Sequence, residues 1–390
     1  MPAEIVIAGR RIGAGFPVYI VAELSASHNQ RFENAVRIVQ AAKNAGADAI
    51  KLQTYTADTI TLPSQKEYFR IDEGPWAGRT LHDLYLEAAT PWEWQPKLKE
   101  IAGQFGMHCF SSAFDASAVD FLERMDVPAH KVASFELVDF GLIQKMARTG
   151  KPLIMSTGMA TQEEIDEAVQ VARAAGAKQI ALLKCTSAYP APPEEANLRT
   201  IPELSRRFDC PAGLSDHTME IAVPVAAVAL GACIVEKHLC LSRSDGGPDA
   251  GFSLEPSEFK TMVDAVRTAK KSLGCIQHAP GPAEAASRKF RRSLFVTEDI
   301  KKDEPFTPQN VRSIRPSDGL HPRHLNDVVG QRAACDIERG TPLDWTMIVG
   351  ESSRNESSRN EMSWNETPCD KTPCGETPRG IRAANLRPCN

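Results

Sequence analysis

Two histidines that follow consecutive apolar runs are the first candidates for chemistry in this chain. His217 closes the run AGLSDH, and His238 lies 21 residues further along in CIVEKHL, beyond an alanine-rich stretch. A strand, a helix and a second strand fit this spacing, so both imidazoles should lie at the same end of neighbouring strands. Two neutral imidazoles suit a borderline divalent metal such as Mn, Co or Zn and leave positions open for substrate. We therefore expect a metal site; the alternative is two structural histidines.

A second group of candidates consists of cations and hydroxyls near the ends of other apolar runs: Lys51, Lys131, Ser156, Ser187 and Ser215. Such a set suits a phosphate or a carboxylate. The alternative is a collection of surface lysines and capping hydroxyls. Several polar residues also recur two positions apart, which places both members of a pair on one face of a strand. These pairs are Lys51/Gln53, Ser134/Glu136, Ser215/His217 and Glu236/His238.

Lys184 offers a competing chemistry. A lysine on a barrel strand can form a Schiff base with a carbonyl substrate, as in one class of aldolases. Its neighbours argue against this role, because Lys184 points outward if Cys185 and Ser187 share the inward face of the strand.

The elements that must position these residues alternate between short apolar runs and helical patterns. Helical patterns such as 117–125 and 161–176 begin behind Asp115 and Thr161, both suitable N-caps. This alternation over roughly 250 residues predicts an α/β fold, a (β/α)8 TIM barrel, with its active site at the C-terminal ends of the strands. Glu23 ends the first of the eight predicted barrel strands, which are 18–23, 49–54, 107–113, 130–134, 152–157, 179–185, 212–217 and 233–239.

The composition changes along the chain and predicts several segments. We expect a barrel domain over 1–273, which begins with a short hairpin and carries a long loop at 55–90 after the second barrel strand. A Gly-, Pro- and Ala-rich linker is predicted at 274–290, and a small second domain at 291–350 with strands in SLFVTEDI and RAACDI. Residues 351–390 repeat ESSRN and TPC units without apolar periodicity, which predicts disorder.

The overall composition excludes some classes of protein. The net charge is −5 and 42% of the residues are hydrophobic, as in ordinary globular proteins. There is no basic stripe for nucleic acid, no run near the ~18 apolar residues that suggest a membrane span, and no signal-peptide pattern. The ten cysteines follow neither disulfide nor zinc spacing, so we expect a cytoplasmic protein.

A series of motifs also occurs in order: VAELSASHNQ, GADAIKLQTYTADTITL, KVASFE, MSTGM, LLKCTSAYP, GLSDHT, EKHL and GGPDAGFSLEP. They resemble the sialic acid synthase family, whose members join phosphoenolpyruvate to an N-acetylated amino sugar. The resemblance covers roughly residues 4–348, and SIRPSDGLHP is similar to the antifreeze-like SAF module at the family's C-terminus. LQTYT, SLEP and GLHP are most similar to the pseudaminic acid synthase branch.

The resemblance implies roles for individual residues. His217 and His238 match the metal ligands, and Glu23 matches an acidic residue between metal and sugar. Lys51, Lys131, Ser156, Ser187 and Ser215 match the phosphoenolpyruvate site. Positions that hold the sugar correspond to Gln53, Glu136, Tyr189 and Asp249, while Arg315 matches an arginine that reaches the partner's barrel in a domain-swapped homodimer. Ser27 departs from the family, which usually has Asn there.

The implied reaction is a metal-dependent condensation of phosphoenolpyruvate with 2,4-diacetamido-2,4,6-trideoxy-altrose. The metal (Mn, Co or Mg) polarises the sugar aldehyde, C3 of phosphoenolpyruvate attacks it, water adds at C2, and phosphate leaves by C–O cleavage. The alternatives are an N-acetylneuraminate or legionaminic acid synthase, a Schiff-base aldolase using Lys184, and a non-catalytic sugar-binding protein.

Overall fold

The computed structural model describes residues 3–350, which form two compact units that divide between Gly274 and Cys275. Within this range no helix is both long enough and apolar enough to cross a membrane. The predicted disordered tail, 351–390, lies outside the described residues.

The first unit is a closed barrel of eight parallel strands, as the sequence predicts. An antiparallel hairpin, β1 (Glu4–Ile7) and β2 (Arg10–Gly13), precedes it. The barrel strands follow in chain order, and the last pairs with the first. They are β3 (Tyr19–Glu23), β4 (Ala49–Thr54), β5 (His108–Ala113), β6 (His130–Val132), β7 (Leu153–Ser156), β8 (Ile180–Cys185), β9 (Ala212–Asp216) and β10 (Ile234–His238).

Helices surround the barrel and cover strands that are largely buried on both faces, which explains why apolar residues predominate in strands such as β3 (YIVAE) and β7 (LIMS). As predicted, Asp115 and Thr161 accept backbone hydrogen bonds at the starts of two helices. The helices packed around the barrel are α1 (Phe32–Ala45), α4 (Gln95–Gln104), α5 (Ala116–Arg124), α6 (Phe140–Arg148), α7 (Gln162–Ala174), α8 (Thr200–Phe208), α9 (Ala222–Ala229) and α10 (Pro256–Ser272).

The segment predicted as a long loop, 55–90, contains two short helices. These are α2 (Ala57–Ile60) and α3 (Leu81–Ala88). Thr56 and Thr80 cap them by accepting hydrogen bonds from Thr59 N and Asp83 N. The loop is therefore locally ordered by its own capping hydroxyls.

The second unit has a separate apolar core built around a small antiparallel sheet. The stretch predicted as a linker carries α11 (Pro282–Ala285), and strands β11 (Ser293–Val296) and β12 (Val311–Ile314) follow. A further helix is α12 (Leu325–Val328). The predicted strand in RAACDI is wrong: Ala333 and Ile337 make only isolated bridges, to Ile348 and Ile300, and β12 pairs with β11 instead.

Candidate active site

A cavity of about 640 Å³ opens at the C-terminal ends of the barrel strands. Most of the candidate side chains line it, as expected for a barrel enzyme. They are Glu23, Lys51, Gln53, Lys131, Glu136, Ser156, Tyr189, Ser215, His217, His238 and Asp249. Ser187 does not line the cavity; its Oγ lies 3.8 Å from the Sγ of Cys185. Arg315 belongs to the second unit, directly after β12.

The two histidines lie side by side, with ring centroids 5.3 Å apart. His217 Nδ1 is 2.9 Å from the carbonyl oxygen of Thr186, which can only accept a hydrogen bond. Nδ1 therefore carries the proton of the neutral ring, and Nε2 keeps its lone pair. Burial lowers the pKa of His217, but contacts with Cys185, Thr186 and Glu23 outweigh it and raise the pKa overall.

A short relay orients the second imidazole. The Oγ of Ser25 donates to Asp249 Oδ2 at 2.5 Å and lies 3.1 Å from His238 Nδ1. Because the Ser25 hydrogen goes to the carboxylate, Nδ1 of His238 is the donor to Ser25. Its Nε2 is then free and lies 3.6 Å from Glu23 Oε2. Burial lowers the pKa of His238 and favours the neutral ring.

This donor set fits a divalent metal. Both imidazoles have Nδ1 bound to a second partner, which is how proteins orient metal-ligating histidines. Among residues 3–350 no group of three or more His, Cys, Asp or Glu side chains is arranged to hold a metal ion. The chain thus offers His217 and His238 as ligands, with the Glu23 carboxylate beside them, and leaves other positions to water or substrate.

A buried ion network lies beside the histidines. Lys51 Nζ contacts Glu23 Oε2 at 2.7 Å and Glu236 Oε1 at 3.0 Å, and the three side chains are only 3% exposed. Gln53 Nε2 donates to the other oxygen of Glu23 at 2.8 Å. Burial raises the pKa of Glu23, but Lys51 and His238 outweigh it and lower the pKa to about 2. Glu23 is therefore ionised at neutral pH.

The second lysine lies close to the same network. Lys131 Nζ donates to Ser156 Oγ at 2.7 Å and is 3.9 Å from Glu236 Oε1. Ser215 Oγ donates to Glu236 Oε1 at 2.9 Å. Burial lowers the pKa of Lys131. Two lysines and the Ser215 hydroxyl therefore converge on one carboxylate, Glu236, and Ser156 binds the second of these lysines, a set of donors that suits a phosphate group.

Lys184 does not line this cavity. Its Nζ donates to the carbonyl oxygen of Cys185 at 2.7 Å, while the Cys185 side chain lines the cavity and lies 3.7 Å from His217 Nδ1. Strand alternation therefore places these neighbours as the sequence predicts. A Schiff-base lysine must reach the substrate carbonyl, so the arrangement disfavours that chemistry.

One end of the cavity, beside the histidines, is partly aromatic. The Tyr189 and Phe252 rings lie 4.9 Å apart, and the ring of Trp76 packs on both at 5.6 and 6.1 Å. Trp76 Nε1 also donates to the carbonyl oxygen of Pro248 at 2.8 Å, which joins the loop after β4 to the loop after β10. Leu254, in the SLEP motif two positions after Phe252, is buried and does not line the cavity.

Glu136 lies in a short 3-10 turn, Ser134–Glu136, rather than on a strand. The strand argument for the Ser134/Glu136 pair is therefore wrong, although both residues line the cavity. The Oε2 atom of Glu136 is shielded from solvent and has no hydrogen-bond partner within residues 3–350. Burial raises the pKa of Glu136 to about 7.

The glycine of the MSTGM motif, Gly158, lies where its neighbours leave no room for a side chain. A Cβ at Gly158 would lie 2.2 Å from Ser187 Oγ and 2.7 Å from Ser134 Oγ. No larger residue fits without displacing these hydroxyls. The Oγ of Ser27, the residue at which the sequence departs from the motif it resembles, is buried and has no hydrogen-bond partner in the described part of the chain.

Sequence reasoning gave no role to several cavity residues, among them Glu236, Cys185 and Trp76. Glu236 could have been assigned, because it lies two positions before His238 on the same strand face. Cys185 was considered as an inward-facing neighbour of Lys184. Burial raises the pKa of its thiol, but His217 outweighs burial and lowers it to about 7. Nothing local in the sequence marks Trp76.

Comparison with known proteins agrees with this geometry. Residues 38–278 match the NeuB family, and residues 291–349 match the SAF domain. A pseudaminic acid synthase of Campylobacter jejuni is 46% identical over 84% of this chain and 95% of its own, and one of Helicobacter pylori is 42% identical over 84% and 96%. The crystal structure of an N-acetylneuraminic acid synthetase from Leptospira borgpetersenii, 30% identical, superposes with a TM-score of 0.66 over 74% of this chain and 95% of that one. The chain belongs to the NeuB family and ends its described part in a SAF domain.

Proposed function

We propose that this protein is a pseudaminic acid synthase, a transferase that joins phosphoenolpyruvate to 2,4-diacetamido-2,4,6-trideoxy-altrose and releases phosphate. The observation that carries the proposal is the 42–46% identity to pseudaminic acid synthases over 84% of the chain. Legionaminic acid synthases are less similar, at 33–34% identity. Lys184, the nucleophile of the aldolase alternative, does not line the cavity.

In the proposed reaction Lys51 and Lys131 bind the phosphate and carboxylate of phosphoenolpyruvate with the hydroxyls of Ser156 and Ser215. Ser187 supports this site from its position beside Cys185. Fixed cations balance the charge of the phosphate throughout the reaction, so no reorganisation is needed when it leaves. The C3 of phosphoenolpyruvate attacks the sugar aldehyde, water adds at C2, and the C–O bond to phosphate breaks.

His217 and His238 are the proposed ligands of a divalent metal, Mn, Co or Mg, which supplies Lewis-acid polarisation of the aldehyde when bound. Glu23, ionised and held by Lys51, lies between this pair and Gln53 and stays an acceptor for sugar hydroxyls. Glu136, whose raised pKa favours its protonated form below about pH 7, can donate a hydrogen bond to the sugar.

Sugar selectivity is proposed to come from the aromatic end of the cavity, with Tyr189 and Asp249 near it. The pseudaminic precursor carries a methyl group at C6 and an acetamido group at C4, where N-acetylmannosamine has hydroxyls. Against Phe252 a C6 hydroxyl has no polar partner, which costs on the order of 1–3 kcal/mol. The loss of the acetamido contacts adds to this cost.

The proposed assembly is a homodimer in which Arg315 of each chain reaches the partner's barrel. The domains proposed are the barrel (1–273), the linker (274–290) and the SAF domain (291–350). A cytoplasmic location is proposed as well, since the described cysteines are all free thiols.

The test is a comparison of kcat/KM for the two sugars with phosphoenolpyruvate and metal saturating, with product masses determined in each reaction. We expect a preference of ~100-fold or more for the pseudaminic precursor. Equal values, or a preference for N-acetylmannosamine, would contradict the proposed substrate and leave the reaction class intact. His217→Ala is the inactive control.

A further inference from the structure

A buried ion pair joins the two strands that carry the histidines. Lys237 Nζ contacts Asp216 Oδ2 at 2.5 Å, and the residues are 1% and 3% exposed. They are register partners on β10 and β9, so the pair spans the two strands directly. Their neighbours Ser215, His217, Glu236 and His238 line the cavity, which places Asp216 and Lys237 on the outer, helix-facing side.

The pair also fixes the chain on both sides of His217. Asp216 Oδ1 accepts a hydrogen bond from Thr218 N at 3.0 Å, and Lys237 Nζ donates to the carbonyl oxygen of Thr218. Residues 216 and 218 are thus both held by the side chain that directly precedes His238. Any shift of one strand end against the other must break these contacts.

Stability alone does not account for a buried pair of this kind. Removing two charges from water is costly, and apolar residues of similar volume often serve as well or better in a protein interior. The pair also lies outside the cavity and touches no proposed substrate group. The pair does fix the backbone of residues 216–218 relative to residue 237. His217 lies within the first segment, and His238 directly follows residue 237.

We propose that Asp216 and Lys237 are positioning residues that set the separation and orientation of His217 and His238 for a divalent metal. This inference rests on the proposed metal site. Partners that hold ligands from outside the coordination sphere typically contribute ~10–100-fold to metal affinity. Here the contribution acts through the backbone of two adjacent strands.

The experiment measures Mn²⁺ binding by electron paramagnetic resonance of the free ion, in the absence of substrates, together with the thermal midpoint of each protein. Lys237→Met leaves the Asp216 charge unpaired and should lower the midpoint. The double variant Asp216→Leu/Lys237→Met removes both charges and should recover most of that loss. We expect its Mn²⁺ affinity to stay at least ~10-fold below that of the wild type.

Two control variants separate positioning from general destabilisation. Met146→Ala opens a cavity in the fully buried side of α6, away from the histidines, and should lower the midpoint without changing Mn²⁺ affinity. His217→Ala should bind Mn²⁺ weakly or not at all. If the double variant does not fold, Asp216→Asn replaces it in the test, because asparagine keeps the volume and one acceptor oxygen. This variant weakens the contact with Lys237 only in part, so we expect Mn²⁺ affinity to fall by about threefold or more.

The outcomes distinguish the positioning role from the proposed metal site on which it rests. A folded double variant, or a folded Asp216→Asn, with wild-type Mn²⁺ affinity overturns the positioning role while the metal site stands. A wild-type protein that binds no Mn²⁺ overturns the metal site and the positioning role with it. Weakened affinity in the pair variants but not in Met146→Ala supports the inference.

Discussion

The raised pKa of Glu136 predicts that this residue makes the barrel less stable as pH rises. Its value of about 7, against an ordinary 4.5, means that the folded state holds its proton over a range in which the unfolded chain has already lost it. The contribution of this bound proton to the free energy of unfolding is fully present below pH 4.5 and is lost as pH rises through 7. The physical cause is burial of a carboxyl whose Oε2 has no partner in the described part of the chain.

The size of the effect follows from the shift. A difference of 2.5 units (7 minus 4.5) at ~1.36 kcal/mol per unit amounts to about 3 kcal/mol once both states are ionised, and most of it develops between pH 5 and pH 8. Glu136→Gln keeps the volume and carries no charge. We expect the variant to gain roughly 2–3 kcal/mol on the wild type over that interval.

The assay is equilibrium urea unfolding at several pH values, followed by tryptophan fluorescence. The matched control is Glu194→Gln, which neutralises an exposed carboxylate on the same unit and should track the wild type at every pH. Stability curves of Glu136→Gln and wild type that stay parallel from pH 5 to pH 8 would refute the reasoning. A sugar KM that rises above pH 7 only in the wild type would link the same proton to binding.

Three further predictions test the proposed site. A chelator should abolish turnover and Mn²⁺ should restore it, whereas His217→Ala should lose at least ~100-fold of its activity in either condition because one ligand is gone; a fully active variant in metal-free buffer would contradict the metal role. Mixing inactive His217→Ala with inactive Arg315→Ala should recover part of the activity, since one site of a swapped heterodimer carries neither change, and no recovery after verified subunit exchange would argue against swapping. Trp76→Ala loses two ring contacts and a hydrogen bond, so the sugar KM should rise about tenfold with the phosphoenolpyruvate KM unchanged, and Trp76→Phe should lose less; equal changes in both constants would contradict a sugar-specific role.

The barrel could be predicted because its signals are local. The barrel strands are largely buried on both faces and are therefore rich in apolar residues, and the caps at Asp115 and Thr161 mark where helices begin. The second unit gives weaker signals. Its chain is held largely by isolated bridges such as Ile300 to Ile337, which leave no periodic pattern, so RAACDI was mistaken for a strand.

The candidate site was predictable where strand alternation applies and not elsewhere. His217 and His238 lie at matched strand ends and were found by spacing alone. Glu136 was found for the wrong reason, because the chain leaves β6 after Val132 and enters a 3-10 turn that no apolar pattern announces. Trp76 is held at the cavity by residues far along the chain, through a hydrogen bond to Pro248, 172 positions away, and ring contacts with Tyr189 and Phe252, and such contacts have no local signature.

The balance of charge within the site could not be predicted from the candidate residues alone. The sequence supplies two lysines for an anion, but in the structure Lys51 and Lys131 already lie beside Glu23 and Glu236, so two cations face two carboxylates before any substrate arrives. In the proposed reaction, binding of the phosphate would then be an exchange of partners inside a nearly dry network. Since Glu236 shares its Oε1 among Lys51, Lys131 and Ser215 while its Oε2 has no partner among the described residues, it is the carboxylate placed to give up these contacts. Glu23, held by Lys51 and Gln53 beside His238, is placed to keep its own.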